Sequence, residues 1–260
     1  MANNGFDLAG ARVLVSNDDG INAPGLKILE RIAQAVAREV WVVAPETEQS
    51  AVGHALTRRR PLRIREISQR RFAVDGTPTD SVLLAVRQIM ADNPPDIVFS
   101  GVNYGGNLCD DVTYSGTVAA AMEATLLGVP AVAFSLVTDG AAIIHWETAE
   151  RWAPEVLGRL CAVGWPAAVV INVNFPNLPA RAVAGIQATS QGGGKTGQGM
   201  TAGTDPHGEA IYWLGTEAHG ERIRAGEDVD AVKGGAISVT PLSLDLTDGP
   251  TLSALRTSLQ

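Results

Sequence analysis

The chain has 260 residues, of which 45% are hydrophobic and 18% charged, with a formal net charge of −8. That length suits one large domain or two small ones, with enough chain to bury a sizeable core. The acidic balance argues against binding nucleic-acid polymers or anionic membranes, although one local site can still take a small phosphorylated ligand.

The elements follow in chain order. The first ten residues, MANNGFDLAG, lack a basic patch leading into an apolar run, so no signal peptide is expected and the protein is read as cytoplasmic. Two cysteines, Cys109 and Cys161, make no disulfide framework and suit a reducing compartment. RVLVS (Arg12–Ser16) predicts a short strand. From Pro24 a helix is expected, with Ile28, Ile32 and Val36 at four-residue spacing and Leu29 and Ala33 beside them. VWVVA (Val40–Ala44) is the next strand, stopped by Pro45.

The stretch TRRRPLRIREISQRR holds seven arginines, and Leu62 to Arg65 alternates as an edge strand does. It reads as a solvated face that discourages edge pairing, with steering of an anionic substrate as the functional alternative. GTPTDSVLLAVRQIM predicts a helix capped by Thr79, with Val82, Val86, Ile89 and Met90 on one face. DIVFSG (Asp96–Gly101) is a strand, and SGTVAAAMEATLLG a helix that starts at Ser115–Thr117 and ends at Gly128. The run from Val118 to Leu136 carries one charge, Glu123, and is long enough to span a bilayer. Gly128, Val129 and Pro130 divide it into a buried helix and the strand PAVAFSL. A helix over about Trp146–Cys161 and the strand AAVVINV complete the series. Trp152 and Trp165 read as core.

Near-continuous apolar strands alternating with helices predict an α/β fold: a Rossmann-like, doubly wound, mostly parallel sheet in a three-layer αβα sandwich. Residues 1–181 are expected to form this core. From 182 to 260 helical periodicity disappears, and short apolar runs between glycine-rich loops predict a β-rich part for oligomer contacts rather than an independent domain.

Ligands of such sheets bind beyond the carboxyl ends of the strands. The first strand delivers Asp18 and Asp19 there, the second is followed by Ser50 and His54, and DIVFSG by Asn103, Asn107, Asp110, Asp111, Ser115 and Thr117. These are oxygen donors, with no zinc-type His/Cys cluster, which suits a hard divalent cation. A cation would also relieve the repulsion between the adjacent aspartates. The helix start at YSGT offers backbone N–H groups to an anion, and phosphate suits it. Cation and phosphate together point to metal-assisted phosphoester hydrolysis. Each motif also has a plain reading: Asn-Asp-Asp-Gly as an Asx turn, GVNYGGN as a glycine-rich loop.

VLVSNDDGINAPG, VVAPETEQS, GTPTDSV, DIVFSGVNYGGNLCDDVTYSGTVAAAMEA and ISVTPLSLDLT resemble, in that order, the motifs of the SurE (stationary-phase survival protein E) family. The resemblance implies a metal-dependent phosphatase acting on nucleoside 5′- and 3′-monophosphates, on a Rossmann-like core with a C-terminal part that makes homodimer or homotetramer contacts. It implies one divalent cation per subunit, Mg²⁺ or Mn²⁺, held by Asp18, Asp19, Ser50 and Asn103. It places Asn107, Ser115, Gly116 and Thr117 in the phosphate-facing loop, and leaves either aspartate as general base or nucleophile. Ala51 and Cys109 stand where the family commonly has glycine.

Several features read more weakly. TSQGGGKTGQG resembles a triphosphate-binding loop but has Thr189 where that pattern needs its first glycine, and no helix is expected after Lys195-Thr196. His54 could protonate a leaving oxygen. His145, His207 and His219 show no partner pattern, and Tyr104 and Tyr114 flank the site. The competing functions are an aspartyl-nucleophile phosphatase of the haloacid dehalogenase type, whose acids are spaced Asp-x-Asp rather than adjacent, and a non-catalytic nucleotide-binding module.

Overall fold

The computed structural model describes residues 5–138, 140–194, 199–214 and 223–259. Its first half alternates strand and helix: β1 (Arg12–Ser16), α1 (Pro24–Val36), β2 (Glu39–Pro45), β3 (Ile64–Ser68), β4 (Arg71–Val74), α2 (Pro78–Leu84), β5 (Ile97–Tyr104), α3 (Gly116–Leu126), β6 (Ala131–Val137), α4 (Trp146–Val163) and β7 (Val169–Pro176). There follow β8 (Ile186–Ala188), β9 (Met200–Thr204), β10 (Ala210–Leu214), α5 (Asp228–Lys233), β11 (Ile237–Ser243) and α6 (Gly249–Ser258).

Among the described residues, nine strands form one sheet in the order β3-β4-β2-β1-β5-β6-β7-β11-β8. The central pairs from β4 to β7 are parallel, while β3 on β4 and β11 on β7 run antiparallel. Side-chain alternation builds the two faces. Val13 and Val15 of β1 point to one side, where they join Leu26, Leu29 and Ile32 of α1 and Val156 and Leu157 of α4. Leu14 between them points to the other, with Val82 of α2 and Val118, Ala120, Ala121 and Ala124 of α3. The result is the expected three-layer αβα sandwich. Phe134 anchors the first face, stacked on Phe175 at 6.1 Å and edge-on to Phe99 at 5.7 Å. Trp152 and Trp165 pack against that same core.

Several sequence expectations need correction. The cap of α2 is Thr77, not Thr79: its side chain accepts from the Asp80 N–H at 3.1 Å, and Asp80 accepts back from the Thr77 N–H at 2.9 Å. Pro78 at the first helical position places the cap before it. That helix ends at Leu84 and continues as a π-helical turn, Ala85–Ile89. The strand β7 begins at Val169 rather than Ala167, because Ala168 takes a positive φ of 57° that no strand residue adopts. Helices also occur after residue 182. α5 has six residues, too few to show a helical period, and α6 buries none of its residues, so it carries no apolar stripe to read.

Strands β8 and β11 from the C-terminal part belong to the main sheet, whereas β9 and β10 form a separate two-stranded ribbon. Among the described residues no helix is long and apolar enough to cross a membrane.

Candidate metal and phosphate site

The site begins where β1 runs out past the carboxyl edge of the sheet. Asn17 donates its amide to the Gly20 carbonyl at 3.1 Å and folds the Asn-Asp-Asp-Gly segment into a turn. Gly20 has a φ of +96°, and a Cβ there would come within 3.2 Å of the Thr47 carbonyl carbon, so only glycine fits against the loop after β2. That loop is tied down by Ile21 N–H to Pro45 O and Gln49 N–H to Asp18 O, both 2.8 Å.

Asp18 is buried, at 4% exposure. The Thr117 hydroxyl donates to its Oδ1 from the start of α3. Gly116 lies flat against the same carboxylate; a Cβ on it would sit 2.7 Å from the Asp18 Cβ and 2.9 Å from Oδ2. Ser115 caps α3 by accepting the Val118 N–H at 3.0 Å. The end of β5, which runs on past Gly101 to Tyr104, reaches Asp19 through the Tyr104 N–H, 3.4 Å from its Oδ2. The loop after β2, the end of β5 and the start of α3 are therefore each bonded to the segment that carries the aspartate pair.

The electrostatics of the pair are unfavourable without a cation. Burial pushes the Asp18 carboxyl above its ordinary range, against the lowering effect of the Thr117 hydroxyl. Burial, and then the Asp18 charge, raise Asp19 to about 7, with the Tyr104 N–H opposing and Glu48 adding to the rise. Among the described residues neither carboxylate is ion-paired to a basic side chain.

Those residues also hold no group of three or more His, Cys, Asp or Glu side chains placed to bind a metal. The expected ligand set has only two such side chains, supplemented by a hydroxyl and an amide. Asn103 commits its Nδ2 to the Gly105 carbonyl at 2.9 Å, which leaves its Oδ1 as an acceptor. Ser50 donates to Glu48 Oε1 at 2.8 Å, which leaves its oxygen lone pairs open. A buried and a half-buried carboxylate lacking a counter-charge, with only oxygen donors around them, fit a hard divalent cation.

The comparisons with known proteins agree with this chemistry. The family model described as "Survival protein SurE" matches residues 13–198. Curated relatives named 5′-nucleotidase SurE are 56% identical in Paramagnetospirillum magneticum, over 97% of each chain, and 51% in Rhodospirillum rubrum, over 96% of each chain. The solved SurE protein of Aquifex aeolicus superposes with a TM-score of 0.84 at 38% identity, covering 96% of this chain and 100% of that one.

The chain belongs to the SurE family.

Membership sets aside the haloacid dehalogenase reading. The two departures from the family's glycines fall on left-handed backbone: Ala51 has a φ of 59° and Cys109 of 53°. Both are strained positions for a side chain, next to Ser50 and in the Asn107 loop.

The remaining expected residues are placed differently from one another. Asn107 turns inward: its Nδ2 donates to Ser135 Oγ at 2.8 Å, its N–H to Asn174 Oδ1 at 2.9 Å, and its carbonyl accepts from Asn172 and Asn174. His54 is not bonded to the aspartate pair. Its Nε2 lies 3.0 Å from Glu123 Oε2 on α3. Glu123 is seven positions beyond Gly116, which places it about 10 Å down the helix from the α3 N-terminus. Tyr104 and Tyr114 stay half exposed at the rim.

The glycine-rich segment packs on the site from outside. Gly192 N–H donates to Asp228 Oδ1, and Cys109 N–H to Asp228 Oδ2, both at 3.0 Å. Gly194 and Asp110 exchange two further bonds, at 2.9 and 3.1 Å. Lys195, Thr196 and His219 lie outside the described residues, and the next element, β9, is a strand rather than the helix of a triphosphate-binding loop. His207 is exposed on the turn before β10, and His145 pairs with Glu147 at 2.8 Å.

Sequence reasoning missed several supports. Asn172 and Asn174 gave a signal, two amides at alternate positions in an otherwise apolar strand, which places both on one face. Glu123 gave another as the lone charge in an apolar run. Asp228 gave none.

Proposed function

We propose that this chain is a metal-dependent phosphomonoesterase that hydrolyses nucleoside 5′- and 3′-monophosphates, and other small phosphomonoesters, to the alcohol and inorganic phosphate. Its SurE relatives are named for the first of these activities. The observation that carries the reading is the Asp18–Asp19 pair, a buried and a half-buried carboxylate side by side and raised in pKa, with no basic partner among the described residues, and with Asp18 set against the start of α3.

In this reading Asp18, Asp19, Ser50 and Asn103 hold one divalent cation per subunit. When bound, Mg²⁺ or Mn²⁺ supplies Lewis-acid neutralisation of the phosphate charge. The chain does the positioning. Thr117 fixes the direction of the Asp18 carboxylate, and the Ser115–Thr117 helix start and the Asn107 loop face the phosphate. The proton released from the attacking water has two acceptors at the site, the Asp18 and Asp19 carboxylates.

The protein works in this reading as a cytoplasmic homodimer or homotetramer, binding neither nucleic-acid polymers nor membranes. The ribbon β9–β10 supports self-association. Met200, Tyr212, Trp213 and Leu214 on it are each more than 60% exposed. A lone two-stranded ribbon is marginal in water, so such a surface calls for a cover.

Phosphate release from a panel of nucleoside monophosphates, with and without Mg²⁺ or Mn²⁺, tests the function. Turnover that requires the cation supports it. Nucleotide binding without turnover would instead favour the binding-module reading.

A further inference from the structure

The metal and phosphate roles leave one sequence motif without work: GTPTDSV, residues 76–82. Its first residues follow β4, and they border a cavity of about 200 Å³ lined mainly by Glu46, Thr47, Gln49, Thr57, Asp75 and Thr77, of which Thr47 abuts Gly20 of the aspartate turn. The cavity lies beyond the carboxyl ends of β2 and β4, which are bridged there by the Glu46 N–H to Val74 O bond of 2.8 Å. β2 is also the direct neighbour of β1.

One loop serves both places. Residues 46–57 carry Ser50 and are bonded to Asp18 through the Gln49 N–H, while Glu46, Thr47, Gln49 and Thr57 face the cavity. The cap of α2 grips the far end of that loop: Thr57 N–H donates to Asp80 Oδ1 at 3.0 Å, and the Thr77 hydroxyl to the Ala55 carbonyl at 2.7 Å. A group attached to a phosphate at the aspartate pair would therefore meet this cavity next.

The lining states what that group is. It consists of hydroxyls, an amide and two carboxylates with the Arg60 guanidinium, and its one aliphatic side chain is Val74. It contains no aromatic ring on which a base could stack. Carboxylates beside small hydroxyls are the chemistry that recognises ribose hydroxyls. The volume is below the ~300–1,000 Å³ of pockets that enclose drug-sized ligands, so it suits a sugar rather than a whole nucleoside. Ion pairs fix the carboxylates in place: Glu46 with Arg65 at 2.6 Å and Asp75 with Arg60 at 3.3 Å.

We propose that this cavity is the leaving-group subsite, and that it takes the sugar ring of the phosphomonoester by hydrogen bonds from the sugar hydroxyls to Glu46 and Asp75. The subsite rests on the phosphomonoesterase reading above, and the experiment separates the two. KM is measured with Mn²⁺ for a nucleoside 5′-monophosphate, for ribose 5-phosphate and for p-nitrophenyl phosphate, which has no sugar. Thr47→Phe, which fills the cavity, raises KM for both sugar phosphates about tenfold relative to p-nitrophenyl phosphate. Glu46→Gln, on the exposed loop and safe for folding, raises the same ratio about threefold by weakening one acceptor. Equal shifts on all three substrates, no shift, or a shift on the nucleotide but not on ribose 5-phosphate each overturn the subsite. Wild-type protein inactive on all three overturns the phosphomonoesterase reading, and the subsite with it.

Discussion

The Thr117 hydroxyl donates to Asp18 Oδ1 across 99 positions of sequence, and Gly116 lies against the same carboxylate. The start of α3 thus holds Asp18 in one orientation, with the positive end of the helix dipole beside a negative charge. Thr117→Val keeps the shape and removes the donor. It is expected to weaken Mn²⁺ binding about tenfold in titration calorimetry, while Thr117→Ser keeps wild-type affinity. Equal loss in both variants would assign the effect to packing instead.

At the proposed site, protons and the cation compete for the aspartate pair. Asp19 rises from 3.8 to about 7 on folding, so between those values the folded chain holds a proton that the unfolded chain has released. The Asp19 contribution to the stability of the metal-free protein is therefore lost as pH rises from about 4 to about 7, the reverse of a salt-bridged carboxylate. Mn²⁺ affinity climbs over the same interval and levels off above it, because binding displaces that proton. Thermal melts with and without Mn²⁺ at pH 5 and pH 8 check this, with the larger metal-induced shift expected at pH 8.

His54 and Glu123 join the Ser50 loop to α3. With Nε2 committed to Glu123, His54 is expected to contribute little to proton transfer, and His54→Ala to keep kcat within a few-fold. Removing its partner leaves a largely buried Glu123 carboxylate unsatisfied, which costs about 1–3 kcal/mol of stability. Urea unfolding measures that loss, and the double variant His54→Ala with Glu123→Gln should recover part of it. A drop in kcat of several hundredfold would return His54 to the role of proton donor.

The exposed ribbon predicts the assembly. Trp213 and Leu214 are 65% and 81% exposed, and a charge placed among them opposes burial against a second copy. Trp213→Glu is expected to lower the mass seen by light scattering while each chain stays folded by circular dichroism. An unchanged mass would place the contact elsewhere.

Much of the fold and of the candidate site was readable from the chain because the candidate residues gather at strand ends. Asp18, Asp19 and Ser50 follow strands whose apolar runs are unambiguous, Asn103 is the penultimate residue of β5, and a parallel sheet brings its carboxyl ends to one edge. The caps needed finer reading, since Pro78 moves the α2 cap from Thr79 to Thr77. The supports were least legible where contacts are long-range. Asp228 collects N–H groups from Cys109, 119 positions away, and Gly192, 36 positions away, and no local pattern announces that. The His54 contact was hidden for a related reason: its loop is polar, but its partner lies on a helix 69 positions on.

The central claim is that Asp18 and Asp19 bind a cation that the phosphatase requires. Titrating Mn²⁺ into wild-type and Asp19→Asn protein by calorimetry, with phosphate release followed on the same samples, tests it most directly. One Mn²⁺ site per chain is predicted in the wild type, with affinity and turnover both falling at least tenfold in Asp19→Asn. Unchanged Mn²⁺ affinity together with full activity in Asp19→Asn would contradict it.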